Sequence, residues 1–165
     1  MSQILVIVIT GCVQLPTGEP VNKVLKVVTG DETWKSAWYY NIGNYISQDA
    51  TYTFSLRIYH EEQNPVGFKL TLKTTPGSYR TIIQVEAATP ATWITLESEP
   101  YLVEEEPSDI YVEPMTPGIT FYFDDFVIKN ESGEVVLKTN FESGETEGWQ
   151  GNNATITVVS DPAQD

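Results

Sequence analysis

The chain holds one histidine, His60, in the stretch YHEEQNP, and one cysteine, Cys12, in VITGC. A serine hydrolase would have to be built on His60, at a turn-like position. Single copies also exclude a multi-histidine zinc site and an intrachain disulfide. Carboxylates are the more abundant chemistry. VEEEPSD gathers Glu104, Glu105, Glu106 and Asp109, and paired acids are what a glycosidase needs. These four lie in a proline-containing turn, with no apolar flank to raise a pKa for general-acid work. They read as a solvated loop, and the chain as not an enzyme. Aromatic residues are the stronger candidates. Trp34 follows the polar turn TGDET, where burial is not expected, and Tyr79 follows TPGS at a strand start. Tyr111 and Glu113 are spaced i, i+2 in IYVEP, which puts a ring and a carboxylate on one strand face. Ring faces stack on the apolar faces of sugar rings while polar side chains bond the hydroxyls. Trp38 lies two pleats beyond Trp34, and Trp93 in ATWITL reads as core.

Charge narrows the partner. The 165 residues carry 23 acidic and 9 basic side chains, a formal net charge of -14, which repels nucleic acid and anionic membranes. It suits a secreted protein, a neutral glycan or a hard cation. The segment ILVIVITGC ends like a lipoprotein cleavage box on Cys12. Its leading MSQ has no Lys or Arg, however, and the apolar run is too short for a membrane span. A buried strand over Ile4–Ile9, with Cys12 as a small core residue, is the expectation.

These residues need a scaffold, and strand signals dominate the chain. KVLKVVTG and TYTFSLRIYH alternate, and GFKLTLKTT, YRTIIQVEA, TWITLESEPYLV and ITFYFDDFVIKN each read as a further strand, with turn signals such as EEQNPVG, TPGS and ESGE between them. No stretch sustains a 3.6-residue period. About ten short strands at this spacing predict an all-β sandwich forming a single domain over 1–165. ILVIVITGCVQL (4–15) and ATITVVSDPAQD (154–165) share a pattern, and both could claim the place beside NKVLKVV.

FESGETEGWQ, NKVLKVV, ETWKSAW, ATYTFSLRIY, SYRTI, ATWITL, DIYVE and FYFDDFVI together resemble the jelly-roll carbohydrate-binding modules of family 22, which bind xylan, and next those of family 4. The resemblance implies two antiparallel sheets. In the family FESG…GW…ATITVVSDP comes first, whereas here it comes last, so the chain resembles a circularly permuted module. By the same resemblance, ligand-binding positions are Trp34, Tyr79, Tyr111 and Glu113. Trp38 extends the platform, and Asn152 stands where the family often has arginine. A structural calcium ion is implied at Glu142 and Asp124, with carbonyls from Asn140 and Lys23 and a further carboxylate from Glu19. Asp125 is expected on the face opposite Asp124. The implied function is non-catalytic binding of a plant cell-wall polysaccharide, xylan or a related β-1,4- or mixed-linked glucan, by an accessory module of a secreted glycanase. The alternative is an assembly subunit, in which the apolar N-terminal strand exchanges between copies to give a swapped dimer or filament.

Overall fold

A computed structural model describes residues 21–164. The expectations for Ile4–Ile9, Cys12 and Glu19 lie outside the described residues. Two antiparallel sheets face each other. The seven-stranded sheet runs β12 (Thr155–Ser160), β1 (Lys23–Val28), β9 (Thr120–Asn130), β3 (Thr51–His60) and β6 (Ile94–Glu97). Two short strands join it: β10 (Val135–Thr139) on β9 and β7 (Tyr101–Leu102) on β3. The five-stranded sheet runs β11 (Trp149–Gly151), β2 (Ala37–Tyr40), β8 (Pro107–Pro114), β4 (Val66–Thr74) and β5 (Tyr79–Ala88). Among the described residues no helix is long and apolar enough to cross a membrane.

Period-two alternation builds the core. β3 turns Phe54, Leu56 and Ile58 inward, and β4 answers with Phe68, Leu70 and Leu72, all at most 2% exposed. β9 breaks its alternation in a useful way. Its register against β3 shifts between Asp124 and Val127, and Asp125 sits at φ 51°. This bulge adds a residue, so Phe123 and Phe126 both point into the core. Both rings then meet Trp149 edge-on, at 4.8 and 5.1 Å between centroids. The indole N–H of Trp149 is satisfied by Thr139 Oγ1 at 2.9 Å, which lets a polar atom sit in a fully buried place.

His60 is the last residue of β3 rather than part of a turn, and it is 1% exposed. Its Nε2 lies 2.8 Å from the Ala88 carbonyl, and its Nδ1 accepts the Glu62 N–H at 3.1 Å. Both ring nitrogens are committed to structure. TWITLESEPYLV forms two short strands instead of one, β6 and β7, with Ser98–Pro100 between them. The place beside β1 is taken by β12, paired from Thr155↔Val28 to Ser160↔Lys23. First and last described strands are therefore neighbours. Asp161 N–H also bonds the Asn22 carbonyl at 2.8 Å, and Asn22 N–H bonds Gln164 Oε1 at 2.7 Å.

Candidate functional site

The outward face of the five-stranded sheet holds the aromatic residues in register. Gln150, Trp38, Tyr111 and Thr71 form one cross-strand row over β11, β2, β8 and β4. Trp38 and Tyr111 stack nearly parallel, 4.0 Å apart with 3° between ring planes. Trp38 also stacks on Tyr40 at 5.7 Å. A cleft of about 480 Å³ opens above this row, lined by Trp34, Trp38, Lys73, Tyr79, Tyr111 and Asn152. Residues separated by as much as 118 positions in sequence are thus brought to one surface by strand pairing.

Each wall has a different origin. Trp34 belongs to the turn before β2, not to a strand, so it does not share a pleated face with Trp38 as its spacing suggested. That turn is closed by Gly30 N–H to the Lys35 carbonyl and by Lys35 N–H to the Glu32 carbonyl. It packs tightly on the 151–154 turn: a Cβ at Gly30 would lie 2.7 Å from the Asn153 carbonyl oxygen. Asn152, whose N–H bonds the Ser36 carbonyl at 2.9 Å, is held beside it. Trp34 accepts the Trp38 indole N–H on its own carbonyl at 2.7 Å, and the residue is 40% exposed. Tyr79 opens the edge strand β5 and is 56% exposed, standing edge-on to Tyr111 with centroids 6.5 Å apart. These two are the most exposed rings of the cleft, and the Lys35 ammonium stands 5.4 Å from the Trp34 ring centroid.

Trp38, Tyr111 and Glu113 are 4%, 4% and 7% exposed. They form the floor of the cleft and what lies under it. Burial pushes the Tyr111 hydroxyl strongly up, helped by the nearby Glu113 charge, so it stays a neutral donor. Glu113 shares the outward face with Tyr111, as the i, i+2 spacing predicted. It is not among the residues that line the cleft: Oε1 accepts the Thr71 hydroxyl at 3.1 Å and lies 4.0 Å from Lys69 Nζ. Sequence reasoning passed over Lys73. Its signal was the alternation of GFKLTLKTT, which sends Lys69, Thr71 and Lys73 to the face opposite Phe68, Leu70 and Leu72.

Trp93 is not core. It lies half-buried outside the seven-stranded sheet, donating its N–H to Asp161 Oδ1 at 2.9 Å and lying 4.6 Å beneath the Arg57 guanidinium.

The carboxylates expected to hold a metal meet on the Asn22–Lys23 dipeptide. Asn22 Nδ2 donates to Asp124 Oδ2 at 3.1 Å, and Lys23 N–H donates to Glu142 Oε2 at 3.0 Å. The Asn140 side chain accepts the Glu142 N–H at 3.2 Å. Asp124 is 1% exposed, and its Oδ1 is buried with no hydrogen-bond partner among the described residues. Burial pushes its carboxyl up to about 6, against the Asn22 amide and the Arg57 charge, which favour the ionised form. An orphaned carboxylate oxygen of this kind is what a hard cation would satisfy. No three His, Cys, Asp or Glu side chains are grouped for a metal among the described residues. Asp125 is not opposite Asp124. The β9 bulge brings both toward Arg57 Nη1, at 3.4 Å for Asp125 and 4.0 Å for Asp124.

No family model and no curated protein matches the sequence. Solved structures do. An apo carbohydrate-binding module, PbXyn10C CBM, matches with a TM-score of 0.66 and 18% identity, over 91% of this chain and 95% of that one. The C-terminal family 22 carbohydrate-binding module of Clostridium thermocellum Xyn10B gives 0.54 and 23%, over 67% and 73%. The tandem CBM22-1–CBM22-2 domain of Paenibacillus barcinonensis Xyn10C gives 0.58 and 16%, over 82% and 48%. At these identities the likeness is one of fold: the chain has the two-sheet jelly-roll architecture of carbohydrate-binding modules.

Proposed function

We propose that this protein binds a β-1,4-linked plant cell-wall polysaccharide, xylan first, without cleaving it, as a module of a secreted glycanase. The observation that carries this is the cleft itself, with two exposed rings, Trp34 and Tyr79, set around a Trp38–Tyr111 floor. A sugar chain offers alternating apolar ring faces and hydroxyls, and this surface offers matching aromatic faces and polar edges. Two of the four acids that would serve a glycosidase are engaged elsewhere. Glu105 pairs with Arg80 at 3.0 Å, Asp109 accepts the Asn41 N–H at 3.0 Å, and none of the four lines the cleft. Affinity electrophoresis against xylan, β-glucan, mannan and cellulose tests this reading. Retardation by xylan with no release of reducing sugar supports it, and free migration in all four gels removes it.

A structural calcium ion at Asp124 and Glu142, completed by the Lys23 and Asn140 carbonyls and by Glu19, belongs to the same proposal. The orphaned Asp124 oxygen supports it. Bound there, the ion would tie the start of β1 to the loop before β11, holding the two sheets together at the end away from the cleft aromatics. The order of strands also fits a permuted module. β12, the last described strand, pairs beside β1, the first, as a segment that precedes NKVLKVV in the unpermuted order would.

A further inference from the structure

Lys73 is the one charged side chain among the residues lining the cleft, in a protein whose net charge is -14. The neighbouring lysines are neutralised: Lys35 by Asp31 at 2.6 Å, and Lys69 by Glu113 at 4.0 Å. Among the described residues Lys73 makes no ion pair. Its cross-strand partner on β8 is Asp109, which is occupied: Oδ1 takes the Asn41 N–H and Oδ2 the Ser108 hydroxyl, each at 3.0 Å. On the other side Lys73 pairs in register with Tyr79, and its Nζ stands 6.0 Å from the Trp38 ring centroid. Lys73 is partly buried as a residue, and its ammonium stands beside the Trp38 ring on the lining of the cleft. A neutral hydroxyl could be bonded there by an asparagine or serine, without the cost of partly burying a charge. A cation held this way, against the sign of the whole molecule, matches an anion on the ligand.

We infer that the cleft selects a xylan-type chain carrying uronic acid branches, with Lys73 facing the branch carboxylate. The inference rests on the xylan-binding reading and names the substrate class of that same site. The aromatic rings supply affinity common to all β-1,4-xylan chains, and Lys73 supplies the preference among them. The remaining negative charge of the protein works against any other anion, so the preference is local to this branch position.

The test is titration calorimetry with two xylo-oligosaccharides of equal length, one unsubstituted and one bearing a single glucuronic acid branch. The branched oligomer is expected to bind about fivefold more tightly, the size of one partly exposed ion pair. That ratio should shrink toward one as salt rises from about 20 mM to about 500 mM, while binding of the neutral oligomer barely changes. Lys73→Met should bring the ratio close to one even at low salt, and its melting curve shows whether it is folded. The salt titration uses wild-type protein and stands without the variant. Equal affinity for the two oligomers overturns the inference and leaves the xylan-binding reading intact. A ratio that persists in folded Lys73→Met overturns it as well. If neither oligomer binds, the inference falls together with the reading it rests on.

Discussion

Trp34 and Trp38 lie four residues apart and line one cleft, yet they should respond to mutation in opposite ways. Trp34 is 40% exposed and makes its polar contact through its backbone, so Trp34→Ala should leave the melting temperature nearly unchanged. The same change should weaken xylan binding by about 2 kcal/mol or more, roughly thirtyfold, as for an exposed aromatic hot spot. Trp38 is 4% exposed and stacked on Tyr111, so Trp38→Ala should cost about 3–5 kcal/mol of stability as well as binding. Denaturant melts alongside binding isotherms separate the two roles. Glu113→Gln should weaken binding less than Trp34→Ala, because the amide still accepts from Thr71 and the side chain does not line the cleft. Asp124 gives a pH signature. Its folded carboxyl is raised to about 6, above the ordinary value, so the folded state holds its proton more tightly than the unfolded chain does. The stability this confers is present at low pH and is lost as pH rises through about 6. In chelator, the melting temperature of wild type should therefore fall relative to Asp124→Asn between about pH 4 and about pH 7. Calcium should raise the wild-type value most above about pH 6, where the carboxylate is free to bind it. Parallel pH profiles for the two proteins, with and without calcium, would contradict both the burial argument and the metal proposal.

Strands that alternate cleanly were legible from sequence, and strands that do not were missed. TYTFSLRIYH and GFKLTLKTT announce β3 and β4 because a half-buried strand must alternate. AWYY and WQG form β2 and β11 without any such pattern, since β2 is buried on both faces and β11 is only three residues long. Tyr79, Tyr111 and Asn152 were legible as cleft residues because resemblance supplied their positions. Lys73 was not, because a lysine on the polar face of a strand looks like any solvated lysine until the neighbouring strands are placed. The face of Asp125 was misread for a related reason. Alternation holds only until a bulge, and nothing in FYFDDF shows that Asp125 will take a positive φ. The bulge also places Phe126 against Trp149, so Trp149→Ala should cost about 3–5 kcal/mol, read as a lower denaturant midpoint. Thr139→Val should cost less, about 1–3 kcal/mol, by leaving the buried indole N–H unbonded.

At the scale of the whole molecule, two sheets divide the work. The seven-stranded sheet and its carboxylates hold the fold together where its first and last described strands meet. The five-stranded sheet turns its outward face into the aromatic cleft. Binding should therefore survive removal of the calcium ion proposed at Asp124 and Glu142, as long as the protein stays folded. Chelator should lower the melting temperature by several degrees, the scale expected when an ion at about a hundredfold over its Kd is removed. Below that melting temperature, xylan affinity in chelator should stay within about twofold of its value in calcium. The measurement that tests the central claim most directly is calorimetric titration of unbranched xylo-oligosaccharide into wild type and Trp34→Ala, with melting curves of both. Saturable binding by wild type, loss of most of it in Trp34→Ala, and matching melting curves are the predicted result. Absence of binding by wild type, or a variant that binds as wild type does, would contradict the claim that this cleft is a polysaccharide site.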